Sequence, residues 1–486
     1  MKLRSVLHKV NKIKCNIDLE TEISSIRYDS SLVTPGDIFV AIRGLEVDGH
    51  SFIPAAVENG AICVICECPP VVSVPYILVE NSRIALAEIS AAYFGFPAEQ
   101  LIIIGVTGTN GKTTVTNLLK EVIEHCEDTK VGLIGTNGVL IGEVELSSTH
   151  TTPESYEIQR LLSVMVSQGC RYCVMEVSSH ALELDRVHGI IFDVGVFTNL
   201  SQDHLDFHLT MEKYAEAKAK LFSVSKKAAI NSDDDYANIM IKRAACPVLT
   251  YAVNNGSADL LAKDVKLHKD KVEFCALTTG VLVRTELPIP GMFSVYNVLA
   301  VLSASSLLNI DLSCAAEALK SCKSVKGRVE VVPTDRDFTI IIDYAHTPAA
   351  LENIAKAARD ITAGRVITLF GCGGDRDKNK RPLMAAAAAE NSDVIIVTTD
   401  NPRTEAPEKI IDDIMKGVGD DKDKFVTIVN RVEAIHWAID NAKAGDVIVL
   451  AGKGHETYQA VGTEKFHFDE REIVAEYLRD SGTIKL

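Results

Sequence analysis

No run of about 18 apolar residues occurs in this 486-residue chain, so a membrane-spanning helix is not expected. The opening MKLRSVLHKVNKI has no apolar stretch long enough for a signal peptide, and the expected location is cytoplasmic. A long basic run is also missing. With 50 Lys and Arg against 66 Asp and Glu the net charge is −16, which argues against nucleic acid as the main partner. Local lysines and arginines can still build a pocket for an anionic small molecule. Internal repeats and low-complexity linkers are absent. The 12 cysteines do not read as a metal site. Cys63-x-x-Cys66-x-Cys68 and Cys170-x-x-Cys173 have suggestive spacings, but both fall in strand-like runs, with no second ligand pair at zinc-site spacing. Mostly buried, reduced thiols are expected.

What is present is ample apolar content, 47%, in a length that suits about three domains. Residues 1–97 read as a small α/β domain. Pro35-Gly36-Asp37 is a turn, Ile38–Ile42, Cys63–Ile65 and Tyr76–Val79 are strands, and the helix Ala85–Phe94 stops at Gly95-Phe96-Pro97. Residues 98–330 alternate short apolar strands with helices: Ile102–Gly105, Val131–Ile134, Tyr172–Val177, Val194–Asn199, Ala228–Asn231 and Val248–Tyr251. That order predicts a mostly parallel sheet covered on both faces. An antiparallel excursion is expected over 258–288 and a helix over Gly291–Leu308. Residues 331–486 repeat the alternation, with strands Thr339–Asp343, Val366–Phe370, Val394–Thr398, Phe425–Val429 and Val447–Ala451, and predict a doubly wound, Rossmann-like sheet.

The chain is organised around IIIGVTGTNGKTT at 102–114. A β-branched strand leads into Gly108-Thr109-Asn110-Gly111, then Lys112-Thr113-Thr114, then apolar residues at helical spacing. Glycines there let backbone N–H groups surround an anion at a helix N-terminus. In such a phosphate-binding loop Lys112 meets the β- and γ-phosphates, and the Thr113 hydroxyl meets Mg²⁺. The spacing is unusual: two residues separate Gly108 from Gly111, where the general pattern has four, and Val106 stands at the first glycine position.

Other polar residues follow strands, where ligands of open α/β sheets collect. Glu176, at a strand end, is placed to face the phosphate loop as a carboxylate for Mg²⁺. Asp203, His204, Asp206 and His208 crowd the next loop; a metal site and an ordinary helix cap are equally good readings. By composition Lys218 and Lys220 are the solvated face of a helix. Four loops, at Asp343–Pro348, Gly371–Arg381, Asp400–Arg403 and Ala451–Glu456, each follow an expected strand and imply one shared cleft.

Together these motifs resemble the Mur ligase family of ATP-dependent amide-forming enzymes in peptidoglycan synthesis. GTNGKTT at 108–114, MEVSSHAL at 175–182, FTNLSQDHLDFH at 197–208, AKAKLF at 217–222, DYAHTP at 343–348, GCGGDRDKNKRPLM at 371–384, DNPR at 400–403 and AGKGHE at 451–456 stand in the family's order and cover nearly the whole chain. DSSLVTPGDIFVAIRG at 29–44 resembles the family's uridine-binding domain. The resemblance implies three domains: UDP-MurNAc-binding over 1–97, central ATPase over 98–330, and amino-acid-binding over 331–486. It implies that the D-glutamyl carboxylate of UDP-N-acetylmuramoyl-L-alanyl-D-glutamate is activated by ATP as an acyl phosphate, then attacked by the amine of meso-diaminopimelate. The implied enzyme is a cytoplasmic monomer.

By the same carry-over Gly108 to Thr114, Asn297, Arg328 and Asp343 bind the nucleotide. Ser30, Thr151, Thr152, Ser178 and Arg186 contact the UDP-muramyl dipeptide. Arg376, Asp400, Asn401, Pro402, Arg403, Gly452 and Glu456 bind the amino acid. Lys112, Lys218, His204 and Glu176 are the catalytic set, and Thr113, Glu176, His204 and Lys218 the Mg²⁺ ligands. Lys218 would serve as a carbamate formed with CO₂, which turns a cation into a carboxylate-like ligand; Lys220 is the neighbouring alternative. Arg403, a planar fork of donors, suits the distal carboxylate of diaminopimelate, which L-lysine lacks. Asn401 is free to accept from an amine or donate to a carboxylate, and Glu456 to pair with the distal ammonium. The chain departs from the family at Ser31 (usually Arg), Leu184 (Gln in some relatives), Asn379 (often Gly) and Ser294 (Asn). An L-lysine-adding homologue, a folylpolyglutamate synthetase-like ligase and a nucleotide-binding protein without ligase activity are the rival readings.

Overall fold

The computed structural model describes residues 1–44, 47–142, 144–146 and 150–482. Two compact units emerge. The first takes Met1–Thr107, Thr129–Gly195 and Lys220–Lys227; the second takes Gly108–Asp128, Val196–Ala219 and Ala228–Leu486.

In the first unit a sheet runs in the order Lys12–Cys15, Tyr76–Val79, Cys63–Cys66, Ile38–Val40, Ile26–Arg27. Only the pairing at Lys12–Cys15 is antiparallel. The strands Ile38–Val40 and Cys63–Cys66 are apolar and buried at every position because both faces are covered there. Ile38, Val40, Cys63 and Ile65 pack with Ala85, Leu86 and Ile89 of the helix Ser82–Tyr93. The alternate residues Phe39, Ala41, Val64 and Cys66 pack with Ile53 and Ala56 of the helix Ile53–Glu58. The Cys63-x-x-Cys66 spacing is thus strand geometry.

A second sheet segment of this unit sets Ile102–Thr107, Tyr172–Glu176 and Val131–Gly135 side by side and parallel. Two antiparallel strands not expected from the sequence, Gly138–Ile141 and Val144–Leu146, continue it. Gly135 pairs with Gly138, so Thr136 and Asn137 form a two-residue turn just beyond Val131–Gly135.

In the second unit Ala228–Asn231, Val248–Ala252 and Leu260–Leu267 are parallel neighbours. Val272–Thr278 and Val281–Leu287 then add antiparallel, as the antiparallel excursion over 258–288. Helix Met292–Leu307 is buried on nearly all sides. Further along, the sheet order is Glu330–Val332, Thr339–Asp343, Val447–Ala451, Val366–Phe370, Val394–Val397, Phe425–Thr427, parallel except at its first pair. Its core joins Ile342, Leu369, Ile396 and Leu450 to Ala434, Ile435 and Ala438 of the helix Arg431–Asn441. Glu330–Val332 and the hairpin Tyr458–Val461/Glu464–His467 are additions to the expected strands.

Most cysteines whose burial the structure describes are buried thiols, among them Cys63, Cys66, Cys173, Cys275, Cys322 and Cys372. The expectation of reduced cysteine fails at one place. Cys126 and Cys314 are disulfide-bonded with Cα atoms 5.9 Å apart, joining the C-terminal turn of helix Lys112–Glu127 to helix Leu312–Leu319.

Arg381, fully buried, clamps this unit internally. Its guanidinium donates to both carboxylate oxygens of Glu405 at 2.8 and 3.0 Å and to Asp413 at 3.0 Å. The Arg381 hydrogen bonds hold the Glu405 carboxyl down at about 2 from an ordinary 4.5. A depressed carboxyl adds stability that is complete above the unfolded value and is lost as pH falls through the folded one. Stability measured by denaturant is therefore expected to decline between pH 4.5 and about 2. Arg381→Met removes the buried cation that Glu405 and Asp413 share, leaving them only the exposed Lys378 and Lys416, and is expected to cost roughly 3–5 kcal/mol at neutral pH. A loss below about 1 kcal/mol, or an unchanged acid limb in the variant, would contradict this role.

Candidate active site

The phosphate loop opens the second unit. Helix Lys112–Glu127 begins at Gly111, whose φ of +85° favours glycine and where a Cβ would stand 2.7 Å from Asn297 Oδ1. The loop is braced from the segment after Phe197. Thr109 N donates to Asn199 O at 2.8 Å and Asn110 N to Asn199 Oδ1 at 3.0 Å, while Thr198 Oγ1 donates to Asn110 O at 2.6 Å. Lys112 Nζ folds back on the loop, donating to Gly108 O and Thr109 O at 2.9 Å each. Arg328 donates to Thr113 Oγ1 at 3.0 Å and lies 4.8 Å over the Tyr344 ring. The unconventional glycine spacing therefore still yields a helix N-terminus with a lysine, a hydroxyl and a guanidinium around it.

Beside the loop is a cavity of about 340 Å³. Asn110, Gly111, Thr114, Asn297, Arg328 and Asp343 line it, together with Phe293, Tyr296, Asp233, Asp234, Tyr344 and Asn353. Asp343 Oδ2 accepts from Val329 N at 2.8 Å; burial nevertheless pushes its carboxyl up. Asp233 accepts three backbone N–H groups at 2.7–2.9 Å and the Tyr296 hydroxyl at 2.9 Å, and these hydrogen bonds outweigh its burial and lower its carboxyl. The sequence reading missed Asp233 and Asp234, although they follow the strand Ala228–Asn231 as the other polar loops follow theirs.

Lys218 is buried, contrary to the solvated face that composition suggested. On helix Met211–Ser223 it lies one turn beyond Tyr214 on the buried side, with its ammonium 4.7 Å over that ring. Lys218 Nζ donates to Gly108 O at 2.8 Å, the carbonyl that Lys112 also uses. Burial and then the Lys112 charge lower it well below an ordinary lysine. Lys220 does match the solvated reading, half-exposed and paired with Glu183 at 2.7 Å. His204, with φ +54°, precedes the short helix Leu205–His208 as its cap. The buried Asp203 gathers His204 at 3.4 Å, His346 at 3.6 Å and Lys380 at 3.5 Å. Burial works to raise its carboxyl, but the His346 hydrogen bond and the His204 and Lys380 charges hold it well below the usual range.

Among the described residues no three His, Cys, Asp or Glu side chains converge as a metal cluster. The oxygens on hand at the loop are the Thr113 hydroxyl and, if Lys218 carries CO₂, its carbamate. That set fits Mg²⁺, which binds few protein oxygens and completes its shell with phosphates and water. It does not fit zinc.

Four of the five residues assigned to the UDP-muramyl dipeptide, with Glu176, form one network in the first unit. The buried Glu176 carboxylate accepts from Thr136 N at 2.8 Å and Thr136 Oγ1 at 3.1 Å, and Thr136 Oγ1 lies 3.0 Å from Thr151 Oγ1. Thr152 Oγ1 donates to Glu176 O at 2.8 Å and accepts from Ser178 N at 3.0 Å. Arg186 donates to Thr152 O at 3.0 Å and pairs with Glu154 at 2.9 Å, which also meets Arg83 at 3.1 Å. Ser30 stands in the separate turn Ser30–Leu32, which Asp29 caps by accepting from Ser31 N and Oγ.

The amino-acid loops leave the C-terminal ends of neighbouring strands of the second unit. Asn401 Nδ2 donates to Glu456 Oε2 at 2.8 Å. Asn401 Oδ1 already accepts from Lys453 Nζ at 3.1 Å and Ala460 N at 2.8 Å. The acceptor role expected of Asn401 toward a substrate amine is therefore corrected: its oxygen is filled, and only N–H remains to offer. Arg403, at φ +51°, donates to Gly374 O at 2.8 Å. Gly452 has φ +107°, and a Cβ there would reach 2.8 Å from Asp400 Oδ2. Pro402 holds its carbonyl against Gly374, and Arg376 is exposed, donating to Asp375 O at 2.9 Å. Lys453, His346 and Lys380 were missed as site residues although each sits inside a quoted motif.

Three family matches follow the chain: the Mur ligase family, catalytic domain at 22–94; the Mur ligase middle domain at 106–305; and the Mur ligase, glutamate ligase domain at 327–454. The UDP-N-acetylmuramoyl-L-alanyl-D-glutamate--2,6-diaminopimelate ligase of Caldanaerobacter subterraneus subsp. tengcongensis is 47% identical over 99% of this chain and 98% of its own. A solved structure of a ligase with that name aligns with TM-score 0.70 at 32% identity, covering 99% of each chain. The MurF ligase of Thermotoga maritima, solved in complex with ADP, shares the fold with TM-score 0.64 at 21% identity, over 96% of this chain and 99% of its own.

Proposed function

The chain belongs to the Mur ligase family, and from that premise we propose that it uses ATP to join meso-2,6-diaminopimelate to UDP-N-acetylmuramoyl-L-alanyl-D-glutamate in peptidoglycan precursor synthesis. The observation that most supports this is the pairing, in one unit, of a phosphate-loop cavity with the Asp400–Arg403 and Gly452–Glu456 loops. We place domain boundaries at 97/98 and 330/331; the first lies between two family matches and the second just inside the third. No helix among the described residues is long and apolar enough to cross a membrane. The reading is of a cytoplasmic monomer.

The D-glutamyl carboxylate attacks the γ-phosphate of ATP, giving an acyl phosphate and ADP. The diaminopimelate amine attacks that carbonyl, and phosphate leaves from the tetrahedral intermediate. Two anions must meet in the first step, so the protein's work is charge neutralisation and positioning. Lys112 and Arg328 supply cations at the phosphates. Asn297 and Asp343 line the space for ribose and base. Mg²⁺, held by Thr113, His204 and the Lys218 carbamate, would add positive charge at the phosphoryl oxygens. Glu176 stays a candidate ligand by its place at a strand end. Thr151, Thr152, Ser178 and Arg186 present hydroxyls and a guanidinium to the muramyl dipeptide, with Ser30 at the uridine.

The test is phosphate release. It is expected only when UDP-muramyl dipeptide and the correct amino acid are both present; release with ATP alone would favour a nucleotide-binding protein. Across a panel of amino acids, kcat/KM for meso-diaminopimelate is expected to exceed that for L-lysine by at least roughly a hundredfold, about 3 kcal/mol. The partly buried Arg403, facing only lysine's ammonium, is repelled and gains no carboxylate. Arg403→Ala is expected to raise KM for diaminopimelate more than it lowers kcat. Comparable kcat/KM for the two amino acids in the unmodified enzyme would reject the diaminopimelate assignment.

A further inference from the structure

Lys453 follows Gly452 in the loop after strand Val447–Ala451, and its side chain is fully buried. Its Nζ donates to Asn401 Oδ1 at 3.1 Å and to Glu456 Oε2 at 3.0 Å, with the rings of Tyr458 and Phe468 at 5.8 and 5.6 Å. An ammonium removed from water is costly unless paired and hydrogen-bonded, so these contacts are not incidental.

The two ends of an asparagine amide differ only in hydrogen-bonding sense. Here Oδ1 accepts from Lys453 and from Ala460 N, neither of which can accept in return. A flipped amide would turn its NH₂ against an ammonium and an N–H. Nδ2 is thereby held toward Glu456 Oε2 at 2.8 Å, with its second hydrogen to spare. Lys453 also neutralises that oxygen of Glu456.

Resting on the reading that these loops receive diaminopimelate, we propose that Lys453 is a positioning residue that sets amino-acid selectivity. It fixes Asn401 as a donor only and leaves Glu456 a single oxygen for an ammonium. The pocket then matches a distal carboxylate beside an ammonium. Against a bare ammonium the oriented donors find no acceptor. Without Lys453, the Asn401 oxygen keeps only Ala460 N as a donor and so has room to accept from an amine, and Glu456 regains its full charge; both suit a lone ammonium better.

The test measures kcat and KM for meso-diaminopimelate and L-lysine, with KM for ATP alongside. In the unmodified enzyme, comparable use of both amino acids rejects the diaminopimelate reading itself. Given a preference there, Lys453→Met is expected to raise KM for diaminopimelate roughly ten- to a hundredfold, the scale of a lost charged hydrogen bond. The kcat at saturation and the KM for ATP stay nearly constant, and the ratio of kcat/KM for diaminopimelate over lysine falls. Asn401→Ala is expected to show the same loss, and adding Lys453→Met to it to cost little more, because the effect runs through Asn401. Asn401→Asp keeps an acceptor for Lys453 and Ala460 but puts a carboxylate oxygen where they orient the N–H group, which favours an ammonium over a carboxylate, so discrimination falls there too. Equal losses with both amino acids, an ATP KM that moves in step, or fully additive effects would overturn the proposal. So would an unchanged preference in Asn401→Asp, a result that stands even where Lys453→Met does not fold.

Discussion

Lys112→Ala is expected to lower kcat/KM for all three substrates by two to four orders of magnitude, roughly the scale of losing one charged group aimed at a transferring phosphoryl, while the melting temperature stays nearly unchanged. The side chain fills no core. Its ammonium reaches back to the Gly108 and Thr109 carbonyls, so the substitution removes charge from the mouth of the loop without opening a cavity. The groups that brace the loop, the carbonyl and side-chain amide of Asn199 and the hydroxyl of Thr198, are untouched. Phosphate release in the complete reaction and a thermal melt are the two readouts. A folded variant with near-normal turnover would remove this loop from the chemistry. A variant that melts much earlier would give Lys112 a structural role instead.

The second large effect is expected at Lys218. As an ammonium it shares the Gly108 carbonyl with Lys112, so two like charges sit on one acceptor in a buried place. Reaction of the uncharged amine with CO₂ forms an N–C bond, releases one proton and leaves a carbamate anion. Repulsion from Lys112 then becomes attraction, and two oxygens become available to a cation. Lys218→Ala is therefore expected to be nearly inactive, and added acetate or a similar short carboxylate to restore part of the rate. ¹³C NMR of the unmodified enzyme under labelled CO₂ is expected to show one carbamate resonance that the Ala variant lacks. A fully active enzyme with a free amine at Lys218 would refute the assignment. Lys220→Ala is the control, since its exposed pairing with Glu183 gives it no part in this.

How much of this was legible depended on how local the chemistry is. The phosphate loop shows in thirteen consecutive residues because strand, turn and helix follow one another there. The four strand-end loops show for the same reason, since each polar cluster directly succeeds an apolar run. Lys218 and Lys220 are two residues apart and alike in composition; only the direction each takes from the helix separates a buried amine from a solvated one. Asn401 looked able to accept because one of its donors, Ala460 N, arrives from a hairpin whose short strands, one partly buried and one exposed throughout, carry no alternating apolar signal. The strands Gly138–Ile141 and Val144–Leu146 were missed although Asn137-Gly138, between two apolar runs, is a hairpin signal. Cys126 and Cys314 are 188 residues apart, a separation at which no spacing rule operates.

The interleaved threading of the two units bears on how the molecule is made. The chain leaves the first unit at Thr107, returns at Thr129, leaves again at Gly195, returns at Lys220 and departs finally at Lys227. On the ribosome, the segments 108–128 and 196–219 emerge well before most of the partners they will join. The first unit can close once residue 227 is out, but the phosphate-loop helix must wait for the helices Met292–Leu307 and Leu312–Leu319, made much later. Its apolar face, Val115, Leu118, Leu119 and Val122, is exposed during that interval, when nascent chains are most open to aggregation. Nor can a gene fragment that starts after residue 227 carry the whole second unit, so exchanging this ATP module between relatives requires transplanting the interleaved segments together.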